Sequence, residues 1–192
     1  MDTFEGDFIG RARTGATQWA KDLLSTDPSW WVILGTETTG LGDTDEILQV
    51  AAIDGAGNVL LDNVLIKPTK SISESASRIH GITDETVKDA PSFMDVWKEI
   101  EPVIYGKLLI IYNASFDIRM MQQSAIACGV AILEFPCDWN DAMDQYAQWY
   151  GEWSNYHGSF RWQRLPNGDH TALGDCRAVL ELIKKMAGEE GA

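Results

Sequence analysis

"WWVILGTETTGLGD", Trp30 to Asp43, is the stretch whose reading decides the fold. Five consecutive apolar residues, Trp30 to Leu34, predict a buried β-strand, and Thr38-Thr39-Gly40 predicts the turn that ends it. Residues i and i+2 of a strand share a face. A carboxylate at position 35 would therefore stand beside that of Glu37, but position 35 is glycine. Glycine inside a strand costs roughly 0.5–1 kcal/mol relative to alanine, so its presence at the centre of this strand asks for a reason.

The neighbouring sequence extends the strand into a sheet. "EILQVAAIDGAGNVLLDNVLIKP", residues 46–68, reads as two strands around an Asp54-Gly55-Ala56-Gly57-Asn58 turn, so the first three strands are expected to form an antiparallel meander. Helix signals follow. "SESASRIHGIT" predicts a short helix stopping at Gly81, and "TDETVKDAP" a short one capped by Thr83. "SFMDVWKEIEPVIYG" predicts a longer helix with Pro102 near its end. "KLLIIYNA" is a buried strand, "SFDIRMMQQSAIACG" a helix, and "LEFPCD" an edge strand tolerant of Pro136. "WNDAMDQYAQWYGEW" and "HTALGDCRAVLELIKKMAGEEG" predict the last two helices. Phe8, Ile9, Ala12, Ala16, Trp19, Ala20, Leu23 and Leu24 recur at helical spacing ahead of Asp27-Pro28. The expectation is an α/β fold: a mixed five-stranded sheet with helices on both faces. Residues 1–28 form a helical extension packed on a domain of residues 29–192.

Composition narrows the function. The 192 residues suit one sizeable core. The net charge of −14 repels nucleic acid at long range and counts against a DNA-coating protein, though not against an enzyme gripping a strand end through cations. The three cysteines, Cys128, Cys137 and Cys176, include no C-x-x-C pair, which argues against a zinc site or disulfide framework and for reduced thiols in the cytoplasm. The N-terminus lacks the basic start and apolar run of a signal peptide, no run approaches transmembrane length, and the first helix has few basic residues for a membrane surface.

Four short segments carry candidate chemistry: Thr36-Glu37-Thr38-Thr39-Gly40, "IHGIT" (Ile79–Thr83), "YNASFD" (Tyr112–Asp117) and "HTALGD" (His170–Asp175). Singly, each has an ordinary reading as exposed strand, helix-entry or surface polar residues. In this order, "GTETTG", "NASFD" and "HTALGD" resemble the DEDDh group of 3′–5′ exonucleases in the DnaQ-like family, which is similar to the epsilon proofreading subunit of bacterial replicative polymerases. The resemblance covers roughly residues 30–186 and implies a ribonuclease H-like three-layer fold. It implies a metal-dependent exonuclease that removes nucleoside monophosphates from single-stranded 3′ ends, DNA favoured, with Mg2+ or Mn2+.

Such chemistry needs several carboxylates. Two divalent cations ~3.5–4 Å apart stabilise the attacking and leaving oxygens of a phosphodiester, and magnesium takes oxygen ligands. The resemblance implies Glu37, Asp117 and Asp175 as metal carboxylates and His170 as general base. It implies Thr36, Thr38, Thr39 and Leu41 around the terminal nucleotide, and His80, Ile82, Asn113 and Phe116 near the strand; Ile82 and Phe116 are equally readable as core. Lys67, Lys70, Arg78, Lys88, Arg161 and Arg164 could meet phosphates or be solvated surface charge, Trp162 is a stacking platform or core, and Arg119 and Arg177 could orient acids.

Gly35 departs from the pattern, where the family has aspartate. One cation is then expected to bind weakly, Asp43 and Asp45 are poor substitutes, and restoring an acid at position 35 is expected to restore cleavage. Three readings stay open: a variant made inactive, a natural relative that binds without cutting, and slow cleavage with one cation. The contrasting function is an inactive module that binds nucleic-acid ends or a polymerase-like partner.

Overall fold

The computed structural model describes residues 3–188. The outer ends of the two predicted segments, residues 1–2 and 189–192, lie outside the described residues.

The chain starts with α1 (Thr3–Ser25), followed by strands β1 (Trp31–Thr38), β2 (Ile47–Asp54) and β3 (Val59–Leu65). Helices α2 (Glu74–His80), α3 (Asp84–Val87) and α4 (Phe93–Ile104) lead to β4 (Leu108–Ile111) and α5 (Ala114–Ala127). Then come β5 (Asp138–Asp141), α6 (Ala142–Tyr150), the short strands β6 (Trp153–Ser154) and β7 (Ser159–Phe160), and α7 (Ala172–Ala187). The main sheet has the order β3-β2-β1-β4-β5. β1, β2 and β3 pair antiparallel in sequence, the expected meander, while β4 and β5 add parallel strands on the other side of β1.

Alternation along β1 builds two cores. Trp31 and Ile33 point to a layer holding Ala16, Ala20 and Leu23 of α1 with Tyr146 of α6 and Val179 and Ile183 of α7. Val32 and Leu34 point to the opposite layer with Phe93, Trp97 and Ile100 of α4 and Met120 and Met121 of α5. A sheet covered on both faces explains why β1 and β2 read as continuous apolar runs. The register shifts between Glu37 and Thr38, where Ile47 N–H turns from the ladder to the Ser124 hydroxyl of α5 at 2.9 Å. That irregularity increases the local twist at the end of β1, which stays paired with β2 through Thr38 and Ile47.

Two boundaries differ from expectation. The edge strand is Asp138–Asp141, not residues 133–138. Pro136 cannot donate to a ladder, and the apolar residues before it serve as packing: Leu133 is buried and Phe135 meets Trp97 edge to face at 5.5 Å. The polar Asp-Trp-Asn-Asp stretch then pairs with β4 through backbone alone. Helix α6 is accordingly shorter than predicted. It ends where Gly151 adopts φ 84°, a conformation that glycine reaches without a Cβ penalty, and the chain enters the unpredicted β6–β7 hairpin. No described helix is long and apolar enough to cross a membrane.

Ala20 is fully buried between α1 and the layers beneath it. Ala20→Leu is therefore expected to cost about 1–3 kcal/mol by overpacking, seen as a fall in Tm of about 2–4 °C per kcal/mol. An unchanged melting curve would mean that α1 does not hold this position in solution.

Candidate active site

β1 is the strand at which the topology changes direction, with an antiparallel neighbour on one side and a parallel one on the other. Open α/β sheets bind ligands in the crevice beyond the strand ends at such a point. Here β1–β4 pairing stops at Ile33–Ile110. Beyond it the strands part around a cavity of about 530 Å3. Leu34, Gly35 and Thr36 form one wall, Ile111, Tyr112, Phe116 and Asp117 another, and Asp175, Cys176 and Val179 a third. Arg164, Leu165, Gly168 and His170 close it from the loop before α7.

Asp117 and Asp175 lie in the first turns of α5 and α7, where helix dipoles favour negative charge. Asp117 is buried and accepts the Thr36 hydroxyl at 2.6 Å. Burial nonetheless pushes its carboxyl up to about 7, with Asp141 and Asp175 adding repulsion. Glu37 shares the α7 face of β1 with Gly35; burial first, then Asp175, Asp117 and Asp169, push it up to about 8. Burial also raises Asp175, opposed by backbone N–H groups of His170 and Asp169 that donate to its Oδ1 at 3.3 and 3.1 Å. His170 is exposed and holds φ 63°, an uncommon conformation outside glycine. That turn directs two successive N–H groups at Asp175.

The start of α7 is tied to the sheet by side chains from two strands and closed by its own N-cap. Ala172 N–H donates to Gln49 Oε1 at 3.1 Å, Leu173 N–H to Asn63 Oδ1 at 2.9 Å, and Gly174 N–H to the Thr171 hydroxyl at 3.0 Å. These partners satisfy donors that a helix N-terminus otherwise leaves open. They also press the turn onto β1. A Cβ on residue 35 would lie 2.6 Å from Ala172 O and 3.1 Å from Cys176 Sγ. Gly35 is therefore a packing requirement of this chain as well as an absent carboxylate. The expected restoration by an acid at position 35 meets that obstacle, because the clashing atom is backbone and the helix end is anchored.

Asp45 offers no replacement. Its carboxylate accepts from the Thr39 hydroxyl at 2.8 Å, Gly42 N–H at 2.7 Å and Lys70 at 2.7 Å, buckling the turn after β1. Gly40 leaves room for it, since a Cβ there would meet Asp45 Oδ2 at 2.6 Å. The Asp43 side chain is fully exposed beside Arg119 at 3.7 Å.

Of the predicted residues, the fold brings Gly35, Thr36, Phe116, Asp117, His170 and Asp175 to the cavity wall. Glu37 lies next to the lining and is coupled to it electrostatically. Thr39 and Ile82 lie outside the cavity lining and make structural contacts. Thr39 is fully buried, its hydroxyl spent on Asp45 and on Glu46 N–H, and Ile82 packs with Leu48 and Val87. Thr38 donates to Gly40 O at 2.8 Å, and Leu41 is 77% exposed on the turn. His80 Nδ1 accepts Ile82 N–H at 3.0 Å, so Nε2 carries the proton donated to Thr38 O at 3.2 Å. Burial lowers its pKa, opposed by the Thr38 carbonyl and reinforced by nearby His170. Asn113 starts α5 in the left-handed conformation, with its side chain directed to Ser115.

The predicted basic cluster is largely paired: Lys70 with Asp45, Arg78 with Glu74 at 2.9 Å, Lys88 with Glu85, and Arg161 with Glu152 at 3.4 Å. Arg164 is the cationic residue in the cavity wall. Unforeseen contributors are Tyr112, whose hydroxyl donates to Gln163 O at 2.8 Å, and Asp141. Asp141 accepts Asn113 N–H at 3.1 Å, Ala114 N–H at 2.9 Å and Met143 N–H at 2.9 Å, capping α5 and α6 together. An aspartate before Ala142-Met143 is an N-cap signal, hidden by placing the helix start too early.

Among the described residues, no three His, Cys, Asp or Glu side chains gather into a metal-holding group. Three carboxylates sense one another, but position 35 beside them is glycine, and a Cβ there would meet Ala172 O at 2.6 Å. The residues present do not fit a two-cation centre in this arrangement.

The RNase T family model, described as "Exonuclease", matches residues 32–183. The chain belongs to this exonuclease family. It is 37% identical over 191 residues to a protein named uncharacterized exonuclease CP81 of Escherichia phage 186, covering 91% of this chain and 96% of that one. It is 34% identical over 107 residues to DNA polymerase III subunit epsilon of Escherichia coli K12, covering 51% of this chain and 44% of that one. Its fold matches Exonuclease X in complex with 5′ overhanging duplex DNA, with a TM-score of 0.55, 28% identity, and coverage of 82% of this chain and 93% of that one. It also matches the nuclease domain of 3′hExo, a DEDDh family member bound to rAMP, with a TM-score of 0.59, 15% identity, and coverage of 83% and 92%. The mixed five-stranded sheet is thus that of ribonuclease H-like exonucleases.

Two expectations test this candidate site. Gly35→Ala should lower stability by about 1–3 kcal/mol through overpacking, although alanine is intrinsically the better strand residue; a stabilised variant in chemical denaturation would contradict the Ala172 contact. The second concerns pH. Glu37 in the fold holds its proton from its ordinary 4.5 up to about 8. The folded state therefore binds more protons than the unfolded state in that window, and stability is lost as pH rises through it. Glu37→Gln should flatten the fall in Tm between pH 5 and pH 8 and raise Tm at pH 8 by at least about 2 °C. Parallel profiles for the two proteins would remove Glu37 as the source.

Proposed function

We propose that this exonuclease-family domain takes the 3′ end of single-stranded nucleic acid, DNA favoured, into the crevice beyond β1 and β4 and hydrolyses it slowly in the 3′–5′ direction. The observation that carries the low rate is Gly35 packed against Ala172 O, which leaves Glu37, Asp117 and Asp175 without a carboxylate at position 35. Any Mg2+ or Mn2+ held here would be bound weakly, because these acids do not gather into a closed ligand set. Each chain group has a distinct task. Arg164 meets a phosphate, the apolar surfaces of Phe116 and Tyr112 flank the terminal base, and Thr36 holds Asp117 by its hydroxyl. His170 accepts a proton from water at the mouth of the crevice; its exposure and its neighbouring acids support that role.

The same Gly35 contact favours a second reading, an end-binding module without hydrolysis. Relatives named as polymerase III epsilon subunits support a polymerase-like partner and a part in proofreading or repair, although the chain matches less than half the length of those relatives. The family match beginning at residue 32 supports residues 1–28 as an extension on a domain of residues 29–192.

The test follows a 5′-labelled single strand with Mg2+ or Mn2+. Slow stepwise shortening from the 3′ end is expected, with His170→Ala lowering the rate by about 100-fold or more while binding changes little. Binding that depends on a free 3′ end, without shortening, would select the second reading. Shortening from the 5′ end, or no binding at all, would overturn both.

A further inference from the structure

The stretch "WSNYHGSFRW", Trp153 to Trp162, is richer in aromatic residues than a surface loop needs. It forms the β6–β7 hairpin, with Trp153 opposite Phe160 and Gly158 N–H donating to Ser154 O at 2.8 Å across the turn. One side is pinned to α1. Phe8 stacks on Phe160 at 5.7 Å and meets Trp153 edge to face at 5.2 Å, and those two rings meet each other at 5.2 Å. The other side faces water. Tyr156 is 92% and Trp162 67% exposed, and together with His157, Phe160 and Arg161 they line a hollow of about 770 Å3. The Trp162 indole N–H donates to Asp144 Oδ1 at 3.1 Å, which fixes the ring. Single exposed apolar residues are ordinary; two exposed aromatic rings around one concavity, one of them fixed, point to a ligand.

The hollow and the candidate site are neighbours along the chain. Arg161 lines the hollow and Arg164 lines the crevice. Three residues span at most ~11 Å of chain. The Tyr112 hydroxyl pins Gln163 O between them at 2.8 Å. A stacked strand rises ~3.4 Å per nucleotide, so about three nucleotides bridge the distance. The net charge of −14 disfavours a grip by phosphates alone, whereas base stacking on aromatic rings needs no net charge and tolerates any sequence.

We infer that the β6–β7 hollow is a second nucleotide subsite, in which bases about three positions upstream of the 3′ end stack on Tyr156 and Trp162, stacking and not charge carrying the contact because Arg161 is paired with Glu152. This rests on the end-binding reading above and extends it from the terminal nucleotide to a short strand.

Fluorescence anisotropy with labelled dT2 and dT8, in EDTA at low salt, tests it. The wild-type chain should bind dT8 roughly tenfold or more tighter than dT2. Tyr156→Ala with Trp162→Ala should lower dT8 affinity by about tenfold and leave dT2 affinity unchanged, and Tyr156→Phe with Trp162→Phe should keep most of the dT8 affinity. A double alanine variant that binds dT8 like wild type overturns the subsite while leaving end binding intact. Equal losses for dT2 and dT8 also overturn it, as general damage. Failure of the wild-type chain to bind either oligonucleotide would remove the end-binding reading and the subsite with it.

Discussion

The first turn of α7 lies on the bare backbone of Gly35, and the geometry of the crevice follows from that contact. Gln49 and Asn63 reach from β2 and β3 to the opening N–H groups of the helix. Their hydrogen bonds set its distance from the sheet, and that distance leaves Ala172 O where a Cβ of residue 35 would stand. The same anchoring brings Asp175 beside Glu37 and His170 to the mouth of the cavity. Stability and chemistry thus make opposite demands on one position. A carboxylate at position 35 would stand beside the other acids, while the packed helix crowds even a methyl group there.

The remaining acids are held at a cost. Glu37 and Asp117 lose hydration and repel each other and Asp175, so both are pushed toward the protonated form near neutral pH. Structural carboxylates nearby behave differently because they are saturated with donors. Asp45 has a hydroxyl, an amide and an ammonium, and Asp141 caps two helices. The contrast separates acids that build the fold from acids kept under-satisfied at its crevice, the pattern expected where function opposes stability.

Much of the architecture was legible because its signals are local. The apolar run into Thr-Thr-Gly, the two strands around Asp54–Asn58 and the caps at Thr83 and Gly81 all appear in the structure as hydrogen-bonded features. The misreadings came where local and tertiary signals diverged. Leu133 and Phe135 carry strand-like hydrophobicity but pack under α4, so the polar residues after Pro136 became the edge strand. Thr39 and Ile82 sit in motif segments yet serve a turn and a small core. Gln49, Asn63 and Asp141 were invisible as site-builders, because their partners lie 123, 110 and 28 residues away.

The sequence by itself determined the meander, the alternation that gives β1 two buried faces, the order of the acidic segments and the absence of a carboxylate at position 35. These follow from the two-residue period of a strand and from residue identity, which need no third dimension. Only the tertiary structure decided that Gly35 has no room for a side chain, that Arg164 and not the paired lysines faces the crevice, and that an aromatic hairpin stands beside it. Each depends on the distance between elements remote in sequence, and side-chain anchors such as Gln49 and Tyr112 set that distance where no pattern along the chain records it.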